Sequence, residues 1–221
     1  LGKELPESAS AFADLWVQSA HKTLPCPNQG GYLHLGRGDK PGMPTPGRLA
    51  YALSLVQTTS PSYPLMAALD MAWRMEGWDE QAGRMDKFCQ DLPEGVVRCG
   101  ADSAPAVADW DRTRLVLDVT GRGITGWQAE TFLRERGILM EMAEERCIVA
   151  VTSPLDEPAW YDRLREGLFA LPTGNHRCGG EPPPWSGAPK RMEPRAAALA
   201  QSELVPLTEA ASRVSAGSVG L

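Results

Sequence analysis

The stretch from Thr113 to Phe169 limits the fold more than any other part of the chain. Thr113-Arg-Leu-Val-Leu-Asp-Val-Thr120 is rich in Leu, Val and Thr, with its apolar residues bunched at 115–117, and predicts a strand. Thr125 can cap a helix from about Gly126 to Arg136 that turns Trp127, Phe132 and Leu133 inward and stops at Gly137. Ile138 to Met142 and Cys147 to Thr152 predict a pair of strands, and a further helix after Pro158 carries Trp160, Leu164, Leu168 and Phe169. The order β-α-β-β-α is that of a compact α+β unit of roughly 70 residues, in which the helices cover a small sheet.

The flanking regions are less regular. Residues 11–19 are mostly apolar and lead into a polar loop, and residues 31–35 predict a short strand. Gly36 to Gly47 holds four glycines and three prolines and reads as a connector. From Ser62 to about Gln90 the pattern is helical, with Pro64 in the first turn and Gly77 as a point where one helix can become two. Its apolar face (Met66, Leu69, Met71, Trp73, Met75 and Trp78) is expected to pack in a core or dimer interface. Between Pro172 and Pro194, six prolines and four glycines in 23 residues mark a linker. Helical spacing resumes from Arg195 to Ser215, with Leu199, Leu204, Leu207 and Val214 as candidate buried positions.

With 22 basic against 28 acidic residues the net charge is −6, which argues against a nucleic-acid partner. No apolar run approaches the ~18–20 residues that a membrane helix needs, so no membrane partner is expected. No basic segment followed by an apolar one marks secretion. Cys26, Cys89, Cys99, Cys147 and Cys178 are odd in number and lack a C-x-x-C pair, so isolated thiols in a reducing cytoplasm are expected, without a metal site. His21, His34 and His176 are equally scattered, and His34 is expected to be a packed or hydrogen-bonded strand histidine.

The segment richest in chemistry is Val17-Gln-Ser-Ala-His-Lys-Thr-Leu-Pro-Cys-Pro-Asn-Gln29. It places a hydroxyl (Ser19), an imidazole (His21) and an amine (Lys22) in one polar loop, a set suited to an anion and to an amine of altered basicity. The same set also occurs in ordinary surface loops. Ser19-Ala-His-Lys22, with Gln29 seven residues on, resembles the cofactor-lysine motif of the bacterial ornithine/lysine/arginine decarboxylases. Thr58-Thr-Ser-Pro-Ser-Tyr-Pro-Leu-Met-Ala-Ala-Leu69 resembles that family's Thr-Thr-Ser-Pro-x-Tyr segment and the helix after it. Asp118-Val-Thr-Gly-x-Gly-Ile-Thr-Gly-Trp127 with Gly137-Ile-Leu-Met-Glu-Met142 resembles the opening of its small domain, and Pro206 to Ser215 its C-terminal helical region.

The resemblance implies an α/β fold of the pyridoxal-phosphate-dependent, aminotransferase-like type (fold type I). Residues 1–103 would be the C-terminal part of the large cofactor domain. Residues 104–221 would be a small α+β domain with the 172–194 linker inside it. It implies pyridoxal 5'-phosphate as cofactor, a basic amino acid as substrate, a polyamine-precursor amine as product, and a homodimer or higher oligomer with shared active sites. Lys22 would form the Schiff base, Ser19 would bind the phosphate, and His21 would lie beside the phosphate and the ring oxygen. Thr58 and Ser60 would reach the phosphate held mainly by the other subunit. Pro25, Cys26 and Pro27 after the lysine, and Gly30 and Gly31 after Gln29, depart from the family's small or hydroxylated residues and alter the loop backbone. The family's Asp-x-Ala-His motif lies upstream of its lysine. Asp14, the sole aspartate before Lys22, lacks that context, so the chain is expected to be a C-terminal portion of such an enzyme. Two other readings stand beside this one: a non-catalytic remnant serving as a dimerisation module, or another fold-type-I enzyme such as an aminotransferase or an aldolase-type lyase.

Overall fold

The computed structural model describes residues 2–3, 5–36, 41–103, 107, 109–177, 191–209 and 213. Strands β1 (Leu15–Gln18) and β2 (Tyr32–Leu35) form an antiparallel hairpin, with Trp16 opposite His34 and Val17 opposite Leu33. Helices α1 (Pro46–Ser54), α2 (Tyr63–Ala72) and α3 (Trp78–Cys89) follow. Next come β3 (Val97–Arg98), β4 (Arg114–Asp118), α4 (Gly126–Arg134), β5 (Met142–Ala143), β6 (Cys147–Val151) and α5 (Pro158–Phe169). These four strands make an antiparallel sheet in the order β3-β4-β6-β5.

Local chemistry explains the boundaries. Thr125 closes a capping box with Gln128, each side chain bonding the other's backbone N–H, which starts α4 where the sequence predicts it. The Thr45 and Ser62 hydroxyls cap α1 and α2 by accepting from the Arg48 and Leu65 N–H groups, and each of these helices carries Pro in its first turn. Gly77 separates α2 from α3 because it adopts φ +90°, a left-handed conformation that a side chain resists.

The core lies where the helices meet the four-stranded sheet. Leu115, Leu117 and Ile148 from β4 and β6 are fully buried with Leu133 of α4, Leu168 of α5, and Met85 and Phe88 of α3. Gly167 lets α5 approach α4, since a Cβ there would meet Leu133 and Ile138 at under 3 Å. The helix α3 and the strand β3, both before residue 103, therefore share one core with residues 115–171. By compactness the chain divides into a unit of residues 1–178 and another of 179–221.

Several expected contacts differ. Trp127 stands 56% exposed, because α4 turns Ala129 and Leu133 rather than Trp127 to the sheet. Trp160 and Phe169 are likewise half exposed, while Tyr161 takes the buried place on α5. Met66 and Met71 of α2 and Trp73 at its C-cap face outward, away from this chain's core, which leaves the dimer-interface alternative for them, whereas Trp78 of α3 is buried. The strand pair is shorter at its first member, Met142–Ala143, than the predicted 138–142. In the second unit the helix α6 spans Pro194–Leu199, with a single 3-10 turn at Leu207–Glu209, so the long helix expected from 195 to 215 is not formed as one element. Leu199 and Leu204 are exposed there rather than buried, and Val214 lies outside the described residues, as does most of the 172–194 linker.

A buried polar chain ties α3 to α5. Gln81 Nε2 donates to the Tyr161 hydroxyl (2.6 Å), which donates to Asp156 Oδ2 (2.5 Å), and this oxygen also accepts from the Ser153 N–H. Burial, and next the bond to Asp156, push the Tyr161 hydroxyl well above its ordinary titration range, so it is a neutral donor at every physiological pH. Tyr161→Phe leaves both Gln81 and Asp156 without this partner. It is expected to cost about 1–3 kcal/mol, read as a lower midpoint of urea unfolding at unchanged slope.

Asp118, at the end of β4, generates a second expectation. Burial alone would raise its carboxyl, but hydrogen bonds from the Thr120 hydroxyl (2.5 Å) and N–H (2.8 Å) and from Arg146 (3.1 Å) outweigh it and hold it below its ordinary value. A carboxyl lowered on folding contributes stability that is present above its unfolded value and is lost as pH falls through the folded one. Asp118→Asn is expected to lower stability at pH 7 and to flatten the loss below pH 4, measured by denaturant unfolding across that range.

Candidate functional site

Ser19, His21 and Lys22 come together in the connection between β1 and β2. Ala20 is buried and anchors a 3-10 turn over Ala20–Lys22, closed by Lys22 N–H to Ser19 O (3.2 Å) and Leu24 N–H to Ala20 O (2.7 Å). Ser19 occupies the N-cap position, yet its hydroxyl makes no capping hydrogen bond. The Lys22 ammonium group is exposed and has no hydrogen bond or ion pair among the described residues.

His21 is held by Gly30. Its N–H and its Nδ1 both reach the Gly30 carbonyl, Nδ1 at 2.8 Å. A carbonyl accepts and never donates, so Nδ1 carries a proton and Nε2 of the neutral ring is left as an acceptor. Gly30 is buried against α2, where a Cβ would meet Cys26 Sγ and Leu69 Cδ2 at 3.0 Å. Gln29 before it adopts φ 75°, in the left-handed region that non-glycine residues rarely enter. Of the Gly30-Gly31 pair, Gly30 therefore has a packing reason.

The turn is fastened to its surroundings on two further sides. The Tyr32 hydroxyl donates to the Leu69 carbonyl of α2 (2.6 Å), and Arg114 Nη2 of β4 donates to the Thr23 hydroxyl (2.7 Å). Burial raises the Tyr32 hydroxyl's titration, so it remains a donor. Thr23, Tyr32, Leu69 and Arg114 also line a cleft of about 1620 Å³ beside the turn, whereas Ser19, His21, Lys22, Thr58 and Ser60 are not among its described walls. His34 stacks on Trp16 at 4.8 Å and bonds Gln18 Oε1 through Nε2 at 2.8 Å, the packed, hydrogen-bonded state expected of it.

Thr58 and Ser60 lie elsewhere, in an exposed stretch between α1 and α2. The Thr58 Oγ1 accepts from the Ser60 N–H at 3.1 Å, and no hydrogen bond joins either residue to the lysine turn among the described residues. Sequence reasoning passed over Thr23, Tyr32 and Arg114. Thr23 is next to the lysine, but nothing in the pattern pairs it with a residue 91 positions on.

The donor set suits pyridoxal 5'-phosphate. An unpartnered amine can meet an aldehyde, an uncommitted N-cap hydroxyl can donate to a phosphate, and His21 Nε2, left open by the bond of Nδ1 to Gly30, can donate to an anion once the ring is protonated on both nitrogens. Among the described residues no cluster of three His, Cys, Asp or Glu could hold a metal ion. No described helix is long and apolar enough to cross a membrane.

Residues 6–91 match the model of the Orn/Lys/Arg decarboxylase major domain. The chain is 30% identical over 229 residues to an arginine decarboxylase of Bacillus subtilis, a match covering 96% of this chain and 46% of that protein. It is 29% identical over 226 residues to one of Halalkalibacterium halodurans, covering 95% and 45%. The chain thus spans about half the length of these relatives. Its fold is similar to that of a lysine decarboxylase of Francisella novicida, at a TM-score of 0.55 and 20% identity over 69% of this chain and 27% of that one.

The His21–Gly30 contact yields an expected spectrum. At alkaline pH the ring-nitrogen NMR signals of His21 should show Nδ1 protonated and Nε2 bare, and a ring protonated on Nε2 instead would contradict the geometry.

Proposed function

The chain belongs to the Orn/Lys/Arg decarboxylase family, and from that premise we propose that it carries the cofactor lysine of a pyridoxal-phosphate-dependent decarboxylase of arginine, lysine or ornithine. The observation that carries this reading is the turn at 19–22. Hydroxyl, imidazole and amine are gathered there with the hydroxyl and amine uncommitted, inside the residues that match the major domain. In this reading residues 1–103 are the C-terminal part of the cofactor domain and 104–221 the small domain.

Pyridoxal phosphate supplies the electron sink that accepts the bonding pair when the α-carboxylate leaves as CO₂. The chain's own residues do the rest. Lys22 provides the primary amine that holds the cofactor and yields its place to the substrate's amine. The Ser19 hydroxyl donates to the phosphate. His21, its Nδ1 proton committed to Gly30, would donate from Nε2 to the phosphate and ring oxygen when the ring is protonated on both nitrogens. Thr58 and Ser60, distinct from this turn, serve the phosphate of a neighbouring subunit, so the active unit is a dimer or larger.

Two measurements test the proposal. Borohydride reduction of the chain with pyridoxal phosphate, followed by peptide mapping, should place the pyridoxyl group mainly on Lys22 and little on Lys3, Lys40, Lys87 or Lys190, and Lys22→Ala should lose it. In the protein that contains this chain, Lys22→Ala should reduce CO₂ release from the preferred basic amino acid by at least about a thousandfold. Modification spread evenly over the lysines would favour the non-catalytic, dimerisation reading.

A further inference from the structure

Lys22 sits between two side-chain tethers of opposite origin. On one side His21 is bonded to Gly30 within the same hairpin connection. On the other, Thr23 is bonded at 2.7 Å to Arg114, the first residue of β4, whose strand is hydrogen-bonded on both edges at the centre of the four-stranded sheet. The guanidinium is itself oriented. Its Nε lies 3.6 Å from Asp111 Oδ2, while Asp111 Oδ1 is held by the N–H (2.9 Å) and hydroxyl (2.6 Å) of the fully buried Thr113. The remaining nitrogen, Nη1, is buried without a hydrogen-bond partner.

The planar fork faces Asp111 through Nε and Thr23 through Nη2 at once, a division a lysine ammonium cannot reproduce. We propose that Arg114 is a positioning residue for the lysine turn: its bond to Thr23 fastens residues 22–24 to the core sheet and fixes the direction in which Lys22 leaves the backbone. The proposal rests on the reading of Lys22 as the cofactor lysine. It adds that this turn is set by the second sheet as well as by its own hairpin.

The test is amide hydrogen exchange on the full chain. The Thr23 and Leu24 N–H groups both donate to the Ala20 carbonyl and report the turn directly, and Ile148 and Val149 of β6 report the sheet. In Arg114→Ala and in the near-isosteric Thr23→Val, exchange at 23 and 24 should rise about tenfold while β6 is unchanged. The double variant should add little, Arg114→Lys should restore part of the protection, and Thr23→Ser, which keeps the hydroxyl, should match the wild type. Reduction of pyridoxal phosphate onto Lys22 should slow in Thr23→Val and recover in Thr23→Ser. Unchanged exchange at 23 and 24 in Thr23→Val, or equal loosening in Thr23→Val and Thr23→Ser, would overturn the proposal. If the wild-type chain takes no pyridoxyl group on Lys22, the cofactor reading fails, and the exchange rates alone decide whether Arg114 holds the turn.

Discussion

Leu115 and Leu117 alternate with Arg114, Val116 and Asp118 along β4, and both neighbouring edges of this strand are hydrogen-bonded. A slip by one residue would turn Arg114 and Asp118 into the core and the two leucines out of it, so the register is fixed by burial. The same register decides what happens at the two ends of the strand. Asp118 at one end gathers Thr120 and Arg146, and Arg114 at the other reaches the hairpin connection that carries Lys22. Core packing and the placement of the chemical groups are therefore one constraint.

The hairpin needs that support. Two strands alone are marginal in water, and this pair leaves Leu15, Val17 and Leu33 exposed on one face. Its other face carries the Trp16–His34 stack, and Tyr32 binds α2 through the Leu69 carbonyl. Bonds to Gly30 in the same connection, to α2 and to β4 thus hold a hairpin whose turn closes through short-range backbone bonds. Such a turn fixes the backbone from which the Ser19 hydroxyl and the Lys22 amine project, which the proposed cofactor contacts would need.

Much of this was legible in the residues. The strand at 114–118, the capped helix after Thr125 and the helix after Pro158 follow from alternation, capping and proline placement, which are local signals. Ser19, His21 and Lys22 stand out through the resemblance of their motif to a family pattern rather than through spacing, and the structure places them in a single turn. What could not be read depends on distant partners. Trp127, Met71 and Trp73 sit on apolar stripes, but which edge of each stripe meets the sheet is decided by neighbours that periodicity does not name. The strand Val97–Arg98 is too short for an alternating pattern, and α1 begins among the glycines and prolines of a connector, where Thr45 and Pro46 supply the cap and first turn. The Arg114–Thr23 bond spans 91 positions and leaves no trace in either local pattern.

The central claim is that the turn at 19–22 holds the cofactor through Lys22. A crystal structure of the protein containing this chain, grown with pyridoxal phosphate, tests it most directly. The expected result is continuous electron density from Lys22 Nζ to the cofactor, with the phosphate beside the Ser19 hydroxyl and His21 Nε2. Density joining the cofactor to any other lysine, or a phosphate seated away from Ser19 and His21, would contradict the account.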